Sequence, residues 1–232
     1  MDKHISSQFD AELNSISTRV LEMGGIVERQ IQWAVQALVE EDSALAQQVL
    51  QAERGINELE LGIDADLSTT IARRQPTARD LRFLIGISKI VSNLERAGDE
   101  AARVARMAAS IAESGHGRRL PVSELRLAAD LASSMLRRAL DALARLDVEE
   151  AVAIMREDDR IDIEFNGFVR KLVTFMMEDP RTISPSLDLL FVAKAIERIG
   201  DHAKNIGEVI IYIVKGLDVR HAPIEQIESV VR

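Results

Sequence analysis

The chain repeats itself, and that constrains its fold more than any single motif. Ala37…Asp42…Val49…Ile56-Asn57 recurs as Ala142…Asp147…Ile154…Ile161-Asp162 at a constant separation of 105 positions. Leu94-Glu95-Arg96-Ala97-Gly98-Asp99 recurs as Ile196-Glu197-Arg198-Ile199-Gly200-Asp201 at a separation of 102. The small slip falls where the Pro-containing loops differ in length, a place that tolerates insertion. The fold must therefore be one that a single unit, used twice in tandem, can build.

Breakers set the elements within each unit. Ser114–Pro121 (SGHGRRLP) reads as a linker, and Gln75-Pro76, Glu178-Asp179-Pro180 and Ser184-Pro185 interrupt helical patterns. Between them the apolar spacing is helical, which predicts helices over 6–40, 43–73, 78–113, 122–146, 148–178 and 186–215. With 12 Gly, 5 Pro and 3% aromatics, the chain lacks the turn and strand formers of a sandwich or barrel. The expected fold is all-α: two tandem repeated three-helix bundles, six long helices in coiled-coil-like packing. The expected division is a first bundle over 1–114, a linker at 115–121, a second bundle over 122–217 and a C-terminal tail over 218–232.

The third helix of each unit has the strictest pattern. Ile87, Ile90, Leu94, Ala97, Ala101, Val104, Ala108 and Ile111 step by three and four, as do Leu189, Val192, Ile196, Ile199, Ala203, Ile206, Ile210 and Ile213. Such a heptad seam packs against antiparallel neighbours at coiled-coil angles.

Charge and absences narrow the function. The net charge of −9 argues against nucleic acid as the main partner, which would need a basic face. The absence of Cys excludes a disulfide framework, a thiolate zinc site and a cysteine nucleophile. The N-terminal MDKHISSQFD has no apolar run, and Val209–Val214 is far shorter than a membrane span, so a cytoplasmic protein is expected.

One motif invites chemistry. Each third helix carries E-R-x-G-D, with Glu95 and Asp99 in the first copy and Glu197 and Asp201 in the second. Carboxylates at i and i+4 stack on one helix face and repel by a few tenths of a kcal/mol. The intervening Gly costs about 1 kcal/mol relative to Ala in mid-helix. A shared cation would offset the repulsion, and Gly would admit a neighbouring chain or ligand. Asn205 extends the second row of oxygen ligands, where the first copy has Arg103. An all-oxygen set suits Mg²⁺, Mn²⁺, Ca²⁺ or iron rather than structural Zn²⁺. Further ligands would have to come from second-helix acids such as Glu53, Glu58, Glu60, Asp158, Asp159 and Asp162. The same residues also read as an ordinary charged edge, with Arg103, Lys194 and Lys204 in reach as partners. His202 follows Asp201 and is expected at the surface or on a partner.

Catalytic signatures are missing. There is no phosphate-binding loop, no dinucleotide fingerprint and no nucleophile elbow. A di-iron bundle needs Glu-x-x-His on two core helices, and the one match, Glu113-Ser-Gly-His116, falls in the linker.

Leu21-Glu22-Met23-Gly24-Gly25, Gln75-Pro76 with Arg79-Asp80-Leu81-Arg82, the two E-R-x-G-D copies, Met176–Thr182 and Lys215–His221 together resemble the PhoU family of phosphate-uptake regulators. The resemblance spans roughly residues 4 to 222. It implies a cytoplasmic, often dimeric, non-enzymatic protein that represses the phosphate-starvation response and restrains phosphate uptake. Its implied partners are the ATPase subunit of the phosphate ABC transporter and a phosphate-sensing histidine kinase, with membrane association only through them. Some members bind iron, zinc or other metal ions through acidic motifs, which carries over to Glu95, Asp99, Glu197, Asp201 and Asn205. The competing expectation is a divalent-metal-binding helical-bundle enzyme or metal buffer using the same carboxylates.

Overall fold

The computed structural model describes residues 7–115 and 120–231. It contains α1 (Ser7–Glu40), α2 (Ser43–Arg74), α3 (Ala78–Ser114), α4 (Leu125–Arg145), α5 (Val148–Glu178), α6 (Ile183–Lys215) and α7 (Ile224–Val231). Short 3₁₀ turns occupy Val122–Glu124 and Pro180–Thr182, and no strand occurs among the described residues.

The repeat has a local cause at each first hairpin. Glu41 and Leu146 take left-handed φ values of 55° and 53°, which turns the chain sharply after α1 and α4. The next amides, of Asp42 and Asp147, donate back to the carbonyls of Ala37 and Ala142 at 3.0 and 2.9 Å. This is the closing bond of a Schellman-type end. The same two aspartates then cap the next helix. Asp42 Oδ1 accepts from the amides of Ala44 and Leu45, and Asp147 Oδ1 accepts from that of Glu150.

Both seams are buried along their whole length, and they meet one another. The helices α3 and α6 pack antiparallel over most of their length. Gly86 near the start of α3 lies against Ile213 near the end of α6, and Ser110 Oγ donates to Asp188 at the other end, 2.7 Å away. Gly24 of α1 likewise lies against Leu140 of α4. The α1–α3 and α4–α6 bundles therefore share one continuous apolar core rather than hanging from a linker.

Two expectations need adjustment. The helix α6 begins at Ile183, upstream of Pro185, because first-turn amides have no intrahelical acceptor and Pro sacrifices nothing there. The segment after 217 folds back: Val219 and Ile227 are buried, Arg156 pairs with Glu228, and Lys215 Nζ donates to the Val231 carbonyl at 3.1 Å. Most of the 115–121 linker, including His116 of the Glu-x-x-His match, lies outside the described residues. No described helix is long and apolar enough to cross a membrane.

Candidate functional site

The two motif glycines admit a neighbouring helix of the same bundle. A Cβ placed on Gly98 would lie 3.0 Å from Ile56 Cδ1, and one on Gly200 would lie 2.5 Å from Ile161 Cδ1. Ile56 and Ile161 are themselves repeat equivalents. Each glycine draws the second helix of its bundle onto the third, and that approach sets acids of the two helices face to face.

In the first bundle, α2 contributes Glu53 and Glu60 and α3 contributes Glu95 and Asp99. Burial raises the pKa of Glu95, and the fields of Asp99 and Glu60 add to it. Burial also raises that of Glu60, with help from Asp64 and Asp99. Compensation is thin. Arg106 approaches Glu53 at 3.8 Å and is half exposed, and Arg103 is turned to Glu100, 3.5 Å away, rather than to Asp99. Glu58 is exposed on α2.

In the second bundle, Asp158 and Asp162 of α5 face Glu197 and Asp201 of α6. Burial pushes Asp201 up to about 6, followed by the fields of Glu197 and Asp158. Asp162 is raised by the same kinds of cause, burial first and then Asp158 and Glu197. Here cations are close. Lys204 Nζ donates to Asp158 Oδ2 at 2.6 Å, and Lys194 Nζ donates to Glu197 Oε1 at 2.6 Å. Burial opposes the charge on Lys204, yet its bond to Asp158 holds its pKa above the ordinary value.

Among the described residues, no three acidic or imidazole side chains converge closely enough to hold a metal ion. In the second cluster, two of the four acids already hold ammonium groups. Both sets consist of oxygen donors, which suits hard cations, but neither is arranged as a chelate. Glu95 and Asp99 share one cluster, and Glu197 and Asp201 share the other. Asn205 lies elsewhere: its Nδ2 donates to Asn93 Oδ1 of α3 at 3.2 Å.

Asn205 belongs to a polar layer inside the α3–α6 contact that residue spacing alone did not reveal. Asn93 Nδ2 donates to the Lys89 carbonyl, so its Oδ1 accepts from both Asn205 and His202 Nδ1, the latter at 3.2 Å. His202 is thus half-buried between helices rather than at the surface. Burial, then Arg96 and Arg198, pushes its pKa down to about 4 and keeps it neutral. One turn along, Arg198 donates to the buried Glu100 at 2.9 Å. Position 202 matches position 100 in the repeat and both are polar, but spacing alone assigns neither a partner helix.

The PhoU domain matches residues 20–108 and 125–210, stretches that lie within α1–α3 and α4–α6. The chain belongs to the PhoU family. It is 48% identical to the phosphate-specific transport system accessory protein PhoU homolog of Pseudomonas putida over 99% of this chain and 89% of that one. It is 46% identical to the phosphate-specific transport system accessory protein PhoU of Escherichia coli over 99% of this chain and 94% of that one. The crystal structure of PhoU from Pseudomonas aeruginosa superposes with a TM-score of 0.87 at 45% identity, covering 90% of this chain and all of the other. PhoU proteins are regulatory accessory proteins rather than enzymes.

Other PhoU-like residues join the two bundles. Gly24 of the Leu21–Gly25 run lies at the contact between α1 and α4, where Glu28 also pairs with Arg137. Arg82 of the Arg79–Arg82 run packs on Gly216, whose φ of 75° ends α6. Beyond it, Arg220 grips Asp218 and holds that carboxyl down to about 2.

Proposed function

We propose that this chain is a negative regulator of phosphate uptake and of the phosphate-starvation response, acting at the cytoplasmic face of the membrane by binding alone. In this reading it is an adaptor that joins the ATPase subunit of a phosphate ABC transporter to a phosphate-sensing histidine kinase, working as a homodimer. The observation that carries the proposal is the near full-length relation to proteins named as accessory to phosphate-specific transport. The surface supports a docking role. Ile183, Leu187 and Phe191 form a one-sided stripe on α6, exposed by 43%, 44% and 53%. Apolar residues at i, i+4 and i+8 on an open helix face suit the docking of partner helices.

The test is binding of the purified chain to the isolated transporter ATPase subunit and to the cytoplasmic part of the kinase. Phe191→Asp changes the stripe without touching the core. Saturable binding of the unaltered chain to both partners, weakened by Phe191→Asp, is the expected outcome. Binding to neither partner would remove the adaptor reading.

A further inference from the structure

The two acidic clusters occupy equivalent places but are neutralised differently. The position of Lys204 corresponds to Ala102 in the first unit, and that of Lys194 corresponds to Ser92. No lysine is therefore available to the first cluster from these sites. In the second, Asp158 is only 6% exposed, and its carboxylate is bonded to Lys204 at 2.6 Å. Lys204 also feels the fields of Glu208, one turn along α6, and of Asp201. Lys194 holds Glu197 from the other side and lies over the Phe165 ring, 5.4 Å from its centroid. An ammonium is a compact point charge with three donors. Among carboxylate oxygens it offsets their repulsion as a bound cation would, with one positive charge rather than the two of a divalent ion.

We infer that Lys204 is the resident cation of the second acidic cluster and that it keeps divalent metal out. A metal ion arriving there has to displace an ammonium already bonded to a buried carboxylate. The ammonium would then have to find new partners while Asp158 stays desolvated. The E-R-x-G-D carboxylates of α6 thus share a cluster with two resident ammonium groups, although Glu197 Oε2 is buried without a hydrogen-bond partner, whereas those of α3 have no such lysine. Replacing Lys204 by a neutral residue leaves the buried Asp158 carboxylate without its ammonium, in the fields of Asp162 and Asp201.

The experiment uses the full chain with Glu60→Gln, Glu95→Gln and Asp99→Asn introduced, so that the first cluster keeps only Glu53. The protein is stripped with chelator and titrated with MnCl₂. Amide resonances of Asp158, Glu197 and Asp201 should stay sharp at equimolar Mn²⁺, because paramagnetic broadening needs the ion nearby. Adding Lys204→Gln should tighten Mn²⁺ binding by at least about tenfold and make thermal unfolding Mn²⁺-dependent. A further Asp201→Asn should reverse both gains. Broadening at these residues with Lys204 in place would overturn the inference, as would a Lys204→Gln chain that binds Mn²⁺ no more tightly. If Lys204→Gln does not fold in chelator, refolding on Mn²⁺ addition supports the assignment and failure to refold overturns it.

Discussion

The two bundles share a skeleton and differ in their charges. Both open with the same capped hairpin at Asp42 and Asp147, and both seat an isoleucine, Ile56 or Ile161, on a motif glycine. Over that common frame the first bundle gives its acids one long arginine pair, whereas the second bonds two of its four, Asp158 and Glu197, to Lys204 and Lys194. The paired third helices differ in the same manner. Glu100 takes Arg198, while the equivalent His202 sits neutral beside Arg96. Apolar packing tolerates little change because interiors are close-packed. The charged positions carry less of that packing constraint, and it is there that the two units differ.

The largest effects should be symmetric. Ile56→Ala and Ile161→Ala each empty the space above a glycine, and each should cost about 2–5 kcal/mol in chemical denaturation. A large loss in one bundle with none in the other would break the equivalence of the skeletons. The charged clusters should respond asymmetrically. Asp158→Ala removes a buried charge-assisted bond and should cost about 1–3 kcal/mol. Glu53→Ala removes a long, half-exposed pair and should change stability by less than about 0.5 kcal/mol. The caps come next, at about 0.5–2 kcal/mol for Asp42→Ala or Asp147→Ala. Asp42 should be the costlier loss, because it accepts two amides and Asp147 accepts one.

Much of this was readable from the residues. Stepping by three and four marked both seams, and the fixed separation between copies exposed the duplication. Helix ends followed from breakers such as Gln75-Pro76 and Glu178-Asp179-Pro180. What escaped was tertiary. Periodicity says that a seam is buried but not against what, so the pairing of α3 with α6 went unseen, along with its layer of Asn93, His202 and Asn205. Spacing placed Asn205 in line with Glu197 and Asp201, yet the helix drifts about 40° for every four residues. Two such steps carry Asn205 round to α3. The glycines were read as room for a ligand or chain, and which chain arrived depended on Ile56 and Ile161, far away in sequence. The fold-back of α7 had no signal beyond a short apolar rhythm.

The smallest expected effect is the pH dependence of the unaltered chain, since two groups oppose each other. Asp201 is raised to about 6, so its contribution to stability is present at low pH and fades as pH rises through 6. His202 is lowered to about 4, so its contribution is full above its ordinary value near 6.5 and is lost as pH falls toward 4. Glu60, Glu95, Asp162 and Glu208 are also raised and act with Asp201. Thermal midpoints should therefore rise only modestly from pH 7 to pH 5. His202→Asn should steepen that rise, and Asp201→Asn should flatten or invert it. Identical slopes in all three proteins would contradict this balance.

The most direct measurement of the proposed role is phosphate-starvation reporter activity, such as alkaline phosphatase, in phosphate-rich cells lacking this gene. High activity that returns to the repressed level when the gene is restored is the result a negative regulator requires. Activity that stays low without the gene, in cells carrying no second copy of the family, would contradict it.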